Sequence, residues 1–353
     1  MLCLLCRNRV FGMSDRIVTG LGEFSKAKFN SLLDVRGTAL AAIRQTLEQL
    51  NYTEVSTASL VNIAGSCENP YASFTLNYYG REAHLSQSAQ IQLEALVLRL
   101  NRPVFTVNNS FREENFDDPD MAGRRLSEFT LIEPEAPMAG LDPEAALASI
   151  IGTQEKVLKA ATAAVLARCG ASIDRLGGDA DYLARTIKTP FQCITYDRAL
   201  DILNAEGGSY GFGTDLGIRE ERAILRYFDN HPVFVTHFPV SIKFFNMKRM
   251  DDGERVYSVD LLMPRLGETT GGAVREEDGA KIKRYLLDSK IAQAARKSGG
   301  DVLASFEEYL KIFDEEPAML RGGFGIGFER FVGFLLGSND ILETIAYRTL
   351  RPI

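Results

Sequence analysis

The 353-residue sequence has no tryptophan, three histidines and five cysteines, and these shortages exclude several kinds of site. A structural zinc site needs about four cysteine or histidine ligands, whereas Cys3 and Cys6 form a C-x-x-C pair with no second pair near them. An odd, scattered set of cysteines argues against a disulfide framework and for a reducing compartment. We therefore predict a cytoplasmic protein without disulfides or structural zinc.

The sequence also lacks long apolar runs and an excess of positive charge. No segment reaches the roughly 18 uninterrupted apolar residues of a membrane-spanning helix, so we expect no membrane partner. The net charge of −7 gives no general attraction to nucleic acid, although it leaves room for a local basic patch. Hydrophobic residues make up 45% and charged residues 25%, which is ordinary for a globular protein with a sizeable core.

Hydrophobic periodicity locates the secondary structure of the first part of the chain. Leucine and isoleucine at helical spacing predict helices over residues 32–50 and 85–100. Residues 52–61 alternate in the manner of a strand. Residues 103–113 and 124–137 predict two further strands, and the polar loop between them indicates an antiparallel hairpin with a long connection.

The later part of the chain mixes helical and strand-like segments. An alanine-rich stretch predicts a helix over 142–168, and residues 277–313 are mainly helical in pattern. Strand patterns occupy 232–239 and 255–268, and a glycine-rich strand runs into a helix over 321–337. Because the strands are spread along the whole chain, we predict an α+β fold.

The same distribution bears on domain organisation. No internal repeat and no low-complexity linker divides the sequence. We predict an N-terminal extension over 1–30 and one catalytic domain over 31–353, with a helical insertion at about 136–230.

The first group of residues suited to chemistry is Phe111-Arg112-Glu113-Glu114 together with RRLSEF at 124–129. An arginine on a strand offers a planar fork that can bind a phosphate or carboxylate through two hydrogen bonds. A nearby phenylalanine can stack on a purine, and a glutamate can accept from an exocyclic amine. Alone, the same residues would also suit a solvated hairpin with surface ion pairs.

The second group is GGFGIGFER at 322–330. Glycine at alternate strand positions removes side chains from one face, so a flat ligand can lie on the backbone. Arg330 opens the following helix and can stack on that ligand or reach a phosphate. The pattern is neither a P-loop nor a dinucleotide-binding G-x-G-x-x-G. A tight strand-to-helix turn without a ligand is the alternative.

In order and spacing, these groups resemble motifs 2 and 3 of the class II aminoacyl-tRNA synthetases, over about residues 30–350. YTEVSTASL resembles motif 1, the dimer-forming element, with Ala58 where the family has a proline. The resemblance implies a class II synthetase-type antiparallel β-sheet flanked by helices. It also implies a homodimer, with ATP and Mg²⁺ as cofactors.

Three further segments resemble the asparaginyl/aspartyl branch of that family: LIEPEAP, PVFVTHFPVSIKFFNMK and VDLLMPRLGETTGGAVREE. Leu93 also fits the asparaginyl side, because aspartyl enzymes usually carry a lysine there that faces the substrate carboxylate. In other places the sequence departs from the family. Arg125 and Arg321 replace histidines, Ala89 replaces a proline, and AYRTLRP replaces the family's usual C-terminal segment. These departures bear on the geometry of the site where the phosphates would bind and on binding of the tRNA end.

The resemblance implies a role for each matching residue. Arg112 and Arg330 are the catalytic candidates, and Arg112 would hold the α-phosphate and the reacting carboxylate. Glu114 would recognise the adenine amino group, with the ring between Phe129 and Arg330. The other ATP-binding candidates are Arg124, Glu128, Gly325 and Gly327. Asp260 and Glu268 would hold Mg²⁺, an ion that prefers oxygen ligands.

The amino-acid candidates follow from the same resemblance. Arg275 would read the oxygen at the end of the side chain, and it is the one strongly placed cation that we assign there. Glu68 and Gln90 would hold the substrate ammonium, although an ordinary loop and helix would also explain them. Glu133 and Glu135 complete the substrate-binding set.

The resemblance leaves open which molecule accepts the activated amino acid. About 30 residues precede the motif 1 helix, whereas the anticodon-binding barrel of full asparaginyl and aspartyl enzymes needs five strands. We therefore expect a chain similar to the related asparagine synthetases, which activate aspartate with ATP, form AMP and transfer the acyl group to ammonia. The same scheme also fits another small amine as the acceptor. It fits asparagine or a modified aspartate as the amino-acid substrate as well.

Two alternatives compete with this hypothesis. The first is aminoacyl transfer to a tRNA or a carrier protein, and the acidic charge and the expected lack of a barrel place tRNA behind a small amine. The second is a non-catalytic paralogue that binds amino acid or nucleotide and regulates a partner. The complete set of motif residues disfavours the second.

Overall fold

The computed structural model describes residues 18–22, 24–62, 73–114, 123–297 and 299–350. Strands in these parts are β1 (Val18–Leu21), β2 (Thr53–Glu54), β3 (Leu60–Val61), β4 (Thr75–Tyr78), β5 (Arg81–Leu85), β6 (Val104–Phe111), β7 (Glu128–Pro137), β8 (Gln192–Thr195), β9 (Val233–Thr236), β10 (Ser258–Met263), β11 (Gly267–Arg275), β12 (Arg321–Gly327) and β13 (Tyr347–Leu350).

Helices in the described parts are α1 (Lys26–Gln49), α2 (Gln90–Leu100), α3 (Pro143–Leu176), α4 (Ala180–Thr186), α5 (Tyr196–Ala205), α6 (Ile218–Tyr227), α7 (Gly279–Asp288), α8 (Lys290–Lys297), α9 (Val302–Ser305), α10 (Glu307–Glu315) and α11 (Phe328–Leu336). Two short 3₁₀ helices lie at Val240–Ile242 and Ile341–Thr344. Among the described helices, none has the length and apolar character needed to cross a membrane.

An eight-stranded sheet forms the centre of the fold, in the order β2-β6-β7-β12-β11-β10-β9-β8. Its two outer pairs, β2 with β6 and β8 with β9, are parallel, and the inner strands are antiparallel. The fold class predicted from the sequence is therefore confirmed: a mostly antiparallel sheet flanked by helices. The strands that carry the predicted site residues, β7, β12, β11 and β10, are consecutive neighbours, so their side chains converge.

Helices α1 and α3 pack together against the sheet and form the main core. The buried residues of α1 recur every three or four positions, as an amphipathic helix requires: Leu32, Val35, Ala39, Ile43 and Leu47. Ser25 caps the start of α1 by accepting from the Lys28 backbone N–H. The predicted helix over 32–50 is thus present and begins six residues earlier, at Lys26.

The strand predicted over 52–61 is wrong in extent. The structure divides it into β2 and β3, which belong to different sheets. Between them, the Ala58 N–H donates to the Gln92 side chain (2.8 Å) and the Ala58 carbonyl accepts from it (2.9 Å). This side chain takes the place of a strand partner, and alanine can donate where a proline could not.

The hairpin predicted from residues 103–113 and 124–137 is confirmed as β6 and β7, paired from Val104–Glu135 to Phe111–Glu128. The segment predicted as a helical insertion carries α3 to α6 but also β8, an edge strand of the main sheet. Part of the predicted N-terminal extension lies in the fold as well, because β1 pairs with β13. The domain boundaries stay a prediction.

Candidate active site

A cleft of about 1030 Å³ lies over the middle of the main sheet. Its lining comes from the segment after β6, from β7, β10, β11 and β12, and from helices α2, α6 and α7. It brings together most of the residues predicted from the sequence: Gln90, Arg112, Glu114, Arg124, Phe129, Glu133, Glu135, Asp260, Glu268, Arg275, Gly325, Gly327 and Arg330.

Of the two remaining predicted residues, one lies away from the cleft and the other is outside the described residues. Glu128 is exposed and accepts a hydrogen bond from the Asn109 side chain at 3.1 Å. Since successive side chains of a strand point to opposite faces, Glu128 faces away from the side that Phe129 presents to the cleft. The prediction of Glu128 as an ATP ligand is therefore not supported by its position. Glu68 lies outside the described residues.

The predicted nucleotide residues form a row of stacked and paired side chains. The Arg112 guanidinium lies 5.1 Å from the centroid of the Phe129 ring. Arg125 donates to Glu114 at 2.6 Å, so the arginine that replaces the family histidine neutralises the predicted adenine-binding carboxylate. Arg330 opens α11 and donates to the backbone carbonyl of Glu268. Cations thus surround the place where phosphates would lie.

Arg124 is predicted from the sequence to bind ATP, but in the structure it bonds to other parts of the protein. It is buried and donates to Glu221 of α6 at 2.7 Å and to the Leu266 carbonyl at 2.7 Å. Gly267 makes this pair possible, because a Cβ there would lie 1.8 Å from Glu221 Oε2, and its φ of +79° favours glycine. The pair fixes the turn between β10 and β11, and with it the position of Glu268.

The two predicted metal ligands converge across adjacent strands. A Cβ on Gly271 would be 3.4 Å from both Asp260 Oδ1 and Glu268 Oε1, so both carboxylates reach the same bare backbone position. Lys243 donates to Asp260. Burial raises the pKa of Asp260 to about 7, with Lys243 opposing the shift. Burial also acts on Glu268, but Arg330 and Lys243 outweigh it and lower the pKa of that carboxyl.

This donor set fits a magnesium ion that is shared with phosphates. Within the described residues, no cluster of three or more histidine, cysteine or acidic side chains forms a complete metal cage. Mg²⁺ is commonly held by one or two carboxylates together with substrate phosphates and water. Asp260 and Glu268 would supply those carboxylate oxygens.

At the other end of the cleft lie the predicted amino-acid residues. Glu133 accepts from the Ser88 hydroxyl and from the Ala89 backbone N–H (2.9 Å). Gln90 opens α2, and its amide donates to Glu94 at 3.3 Å. Arg275 and Glu135 form a buried bidentate pair, with Nε to Oε1 at 3.2 Å and Nη2 to Oε2 at 3.0 Å. Burial raises the pKa of Glu135 to about 7, and Arg275 opposes the shift.

A second buried arginine lies behind the cleft at this end, beside Arg275, which lines it. Arg321, the replacement for a second family histidine, is fully buried and donates to Glu94 through Nε (3.2 Å) and Nη2 (2.5 Å). The two arginines therefore each have a carboxylate partner. Arg275 does not present an uncompensated charge to the side chain of a substrate.

Sequence reasoning missed four contributors to the site: Glu94, Lys243, Glu221 and Tyr309. A weak signal for Glu94 is present, since it is a charged residue on the buried face of α2 between Leu93 and Val97. Lys243 lies in the quoted segment PVSIKFFNMK. Glu221 and Tyr309 are recognisable only once the fold brings α6 and α10 to the sheet.

Gly323 on β12 gives a first prediction, for stability. A Cβ there would be 2.4 Å from the Pro134 carbonyl oxygen and 2.0 Å from Glu135 Oε2. Backbone on the central strand cannot yield, so Gly323→Ala is expected to lower the free energy of unfolding by about 1–3 kcal/mol. Urea unfolding followed by circular dichroism measures this change.

The matched control for that prediction is Gly152→Ala. Gly152 is exposed in α3, and no atom lies within 4 Å of the position that an added methyl group would take. Alanine there is expected to stabilise the helix by about 0.5–1 kcal/mol, because glycine loses more backbone entropy. Equal effects of the two substitutions would contradict the packing described for β7 and β12.

Known proteins resemble this chain along most of its length. A family model described as class II tRNA synthetases (D, K and N) matches residues 19–351. Asparagine–tRNA ligase from Xanthomonas euvesicatoria pv. vesicatoria is 33% identical over 302 residues, which cover 83% of this chain and 60% of that protein. Asparagine–tRNA ligase from Thermococcus kodakarensis is 32% identical, with 92% and 69% covered. The chain thus spans about 60% of the length of the first of these relatives.

Solved structures agree with the sequence comparison. The crystal structure of asparaginyl-tRNA synthetase from Pyrococcus horikoshii complexed with asparaginyl-adenylate is similar, with a TM-score of 0.79 and 32% identity, over 91% of this chain and 69% of that one. The aspartyl-tRNA synthetase from Entamoeba histolytica has a TM-score of 0.68 at 21% identity, over 90% and 57%. At that identity the likeness concerns the fold alone.

Proposed function

The chain belongs to the class II tRNA synthetases of the D, K and N type, and from this premise we propose that it activates asparagine with ATP and transfers it to a tRNA. The observation that carries the proposal is the convergence in one cleft of Arg112, Arg330, Asp260, Glu268 and Arg275. These residues suit an adenylation reaction, because they place cations and metal ligands beside a pocket for a polar amino acid.

In the proposed reaction, a carboxylate oxygen of the amino acid attacks the α-phosphate of ATP and pyrophosphate leaves. Arg112 would bind both the carboxylate and the α-phosphate, and Arg330 would stabilise the phosphate charge. Mg²⁺ held by Asp260 and Glu268 would neutralise the departing pyrophosphate. The acceptor hydroxyl then attacks the acyl carbon, and AMP leaves.

Asparagine takes the place of aspartate as the first substrate candidate. The sequence alone placed aspartate first, because the related asparagine synthetases use it. In the structure Arg275 is paired with Glu135, and Leu93 lines the cleft in place of a second cation. An amide can accept from an arginine and donate to a carboxylate, whereas a substrate carboxylate would meet the charge of Glu135.

For the acceptor, the relatives favour the alternative over the main hypothesis. The asparagine synthetase-like interpretation finds no support in the comparisons, in which the relatives are asparagine–tRNA ligases. The acidic net charge, which placed tRNA behind a small amine, does not exclude a local basic surface. We therefore propose a tRNA acceptor for the activated amino acid.

The experiment is amino-acid-dependent exchange of labelled pyrophosphate into ATP, followed by AMP release with tRNA or with ammonium as acceptor. We expect exchange with asparagine, and AMP release that increases with tRNA; Arg330→Ala is the matched inactive control. Release of ADP and phosphate would contradict the adenylation. Ammonium-dependent release without a tRNA effect would restore the small-amine hypothesis, and the absence of exchange with any amino acid would favour a regulatory paralogue.

We also propose the two-fold dimer that motif 1 implies, built from α1 and the segment after it. Leu33 of α1 is 55% exposed in the isolated chain, so this helix has apolar surface left to bury. A closed two-fold pair is the commonest oligomer. Light scattering is expected to give twice the 39.1 kDa of one chain, and Leu33→Glu is expected to shift it toward the monomer. A monomer for the unmodified chain would contradict the proposal.

A further inference from the structure

The surface of helices α7 and α8 is basic, although the chain as a whole has a net charge of −7. Between residues 279 and 297, Asp288 is the single acidic residue, whereas six residues are basic: Lys281, Lys283, Arg284, Lys290, Arg296 and Lys297. All six are exposed. This part of the surface therefore carries a local positive charge that the net charge of the chain conceals.

Helical geometry brings two charges of α7 to the edge of the cleft. Tyr285 and Asp288 of this helix line the cleft. Residues three or four positions apart lie on the same face of a helix. Lys281 precedes Tyr285 by four positions and Arg284 precedes Asp288 by four, so both cations lie on the face that borders the cleft.

Helix α8 continues this row of positive charges. Lys290 and Gln293 line the cleft, and Lys297 lies four positions after Gln293 on the same face. Arg296 belongs to a different contact, because it donates to the Leu287 carbonyl at 2.9 Å. The cations that border the cleft form a surface that we name the basic rim: Lys281, Arg284, Lys290 and Lys297.

The charges of the basic rim are available to a ligand. In the part of the chain that the structure describes, none of the four side chains forms an ion pair. Acidic residues of the next two helices are engaged elsewhere: Asp301 accepts from backbone N–H groups of its own helix α9, and Glu315 of α10 pairs with Arg99 at 2.7 Å. Asp288 offsets one charge, and the rim keeps a surplus that attracts a polyanion.

A flat cation lies where the basic rim meets the cleft. The Arg249 guanidinium is 3.6 Å from the centroid of the Tyr285 ring, and both residues line the cleft. Arg284 lies 5.4 Å from the centroid of the same ring. A guanidinium plane can stack on an unpaired nucleobase. The edge of the cleft thus combines cations that suit phosphates with a group that suits a base.

We propose that the basic rim is the docking surface for the acceptor arm of a tRNA, and that an unpaired base of its 3′ end stacks on Arg249. The inference rests on the proposed function, in which an RNA hydroxyl must reach the acyl adenylate in the cleft. RNA suits this surface better than an acidic protein, because the rim offers contacts for bases as well as for charges. Since the rim borders the cleft, an RNA bound there has its end near the activated amino acid.

The affinity for RNA should depend on salt in proportion to the phosphates that the rim neutralises. Each neutralised phosphate releases a counterion and contributes about 0.7–0.9 to the slope of log K against the logarithm of the salt concentration. Four cations at the rim therefore predict a slope of about −3.

The first arm of the test measures binding by fluorescence anisotropy, without ATP or amino acid. The probe is a labelled RNA hairpin that reproduces the acceptor arm with its single-stranded 3′ end. The double variant Lys281→Glu/Lys297→Glu is expected to bind about tenfold more weakly than the unmodified chain. Its salt slope should be smaller in magnitude by about 1.5, because two phosphate contacts are lost.

The matched control is Lys156→Glu/Lys188→Glu, which makes the same change in net charge. Lys156 lies in α3 and Lys188 follows α4, and both residues are exposed. Neither belongs to the basic rim, so this variant should bind the hairpin as the unmodified chain does. Equal losses of affinity in the two double variants would mean that total charge alone governs binding, which would overturn the proposal.

The stacking step has a test of its own, because it concerns only the unpaired end of the RNA. Arg249→Ala is expected to weaken binding of the hairpin with a single-stranded 3′ end by about fivefold to tenfold. A hairpin trimmed to a blunt end should bind this variant and the unmodified chain alike. Equal losses for the two hairpins would exclude stacking on Arg249.

Enzyme assays separate docking from adenylation. Lys281→Glu/Lys297→Glu should keep the rate of asparagine-dependent pyrophosphate exchange, because neither lysine lines the cleft. In tRNA-dependent AMP release, the KM for tRNA should rise by about tenfold with little change in kcat. A variant that loses exchange as well would show that the two lysines act on adenylation and would overturn their assignment to docking.

The remaining outcomes distinguish this inference from the proposed function. Equal binding of the hairpin to the unmodified chain and to Lys281→Glu/Lys297→Glu overturns the basic rim and leaves adenylation standing. Hairpin binding at the rim without exchange for any amino acid overturns the proposed function alone. Displacement of the hairpin by poly-glutamate as readily as by poly-uridylate would assign the rim to an acidic protein. If the glutamate variant does not fold, Lys281→Gln/Lys297→Gln replaces it, since glutamine removes the charges and favours helix.

Discussion

Replacement of Arg112 by alanine is expected to slow adenylate formation by about 10²–10³, the loss typical of removing one preorganised charge from a developing anionic transition state. The Arg112 side chain is half-buried and lies over the Phe129 ring. Its backbone N–H donates to the Ser127 carbonyl at 2.9 Å, so the backbone stays anchored when the side chain is removed. Its positive charge also reaches Glu268, whose pKa it helps to lower.

Pyrophosphate exchange with saturating ATP and amino acid measures this loss, and equilibrium binding of ATP separates it from loss of affinity. Arg198→Ala is the matched control, because Arg198 also stacks on an aromatic ring, that of Tyr227 at 5.8 Å, at an exposed position. It should keep the full exchange rate. Arg112→Lys should recover a small part of the rate, since an ammonium cannot replace the planar fork. An alanine variant as fast as the unmodified chain would exclude Arg112 from the reaction.

Local patterns predicted the elements that build this site. The apolar spacing of residues 32–50 identified α1, and the hairpin β6–β7 followed from two strand patterns and the loop between them. Arg112 and Phe129 could be paired from that hairpin alone, because the residues at its ends are necessarily close. The glycine pattern at 322–327 likewise predicted a strand with one bare face, which is β12.

The partners of the charged groups could not be predicted in the same way. Arg321 and Glu94 are 227 positions apart, and Arg124 and Glu221 are 97 apart. No spacing rule connects residues on separate elements, and the pairing exists only because α2 and α6 pack on the sheet. The sequence therefore identified both Arg275 and Glu135 as substrate contacts but gave no sign that the two neutralise each other.

That difference changes the chemistry predicted for the site. An arginine without a partner in a closed pocket would attract a carboxylate, which is compatible with aspartate, the first candidate taken from the related asparagine synthetases. A buried arginine that already has a bidentate carboxylate partner offers hydrogen bonds and little net charge. Family motifs identify which residues line the cleft, while the charge balance of the cleft depends on which of those residues pair with each other.

Replacement of Arg275 by leucine is expected to abolish exchange with both asparagine and aspartate while ATP binding is retained. Arg275 contacts Glu135 and Glu94. Of the nucleotide residues, Arg112 lies over Phe129 and Arg330 donates to the Glu268 carbonyl, so neither depends on Arg275. Arg99→Leu, at the surface pairs with Glu315 and Glu316, is the matched control and should keep full exchange. Exchange with asparagine at the normal rate would remove Arg275 from the pocket and with it the asparaginyl assignment.

Loss of fold must be distinguished from loss of recognition, because removal of one partner of a buried pair costs about 3–5 kcal/mol. Without Arg275, the pKa of the buried Glu135 loses its main opposing influence and rises further. A carboxyl whose pKa is higher in the folded than in the unfolded state makes the protein less stable as pH rises above the unfolded value. Arg275→Leu should therefore be less stable at about pH 8 than at about pH 6.

The double variant Arg275→Leu/Glu135→Leu separates the loss of stability from the loss of substrate recognition. Replacing a buried ion pair by apolar side chains of similar volume is often neutral for stability, so the double variant should regain thermal stability and lose the pH dependence of the single variant. Exchange should stay absent in both variants, because neither can bind the terminal oxygen of the substrate. Recovery of exchange together with stability would mean that Arg275 supports the fold and does not recognise the amino acid.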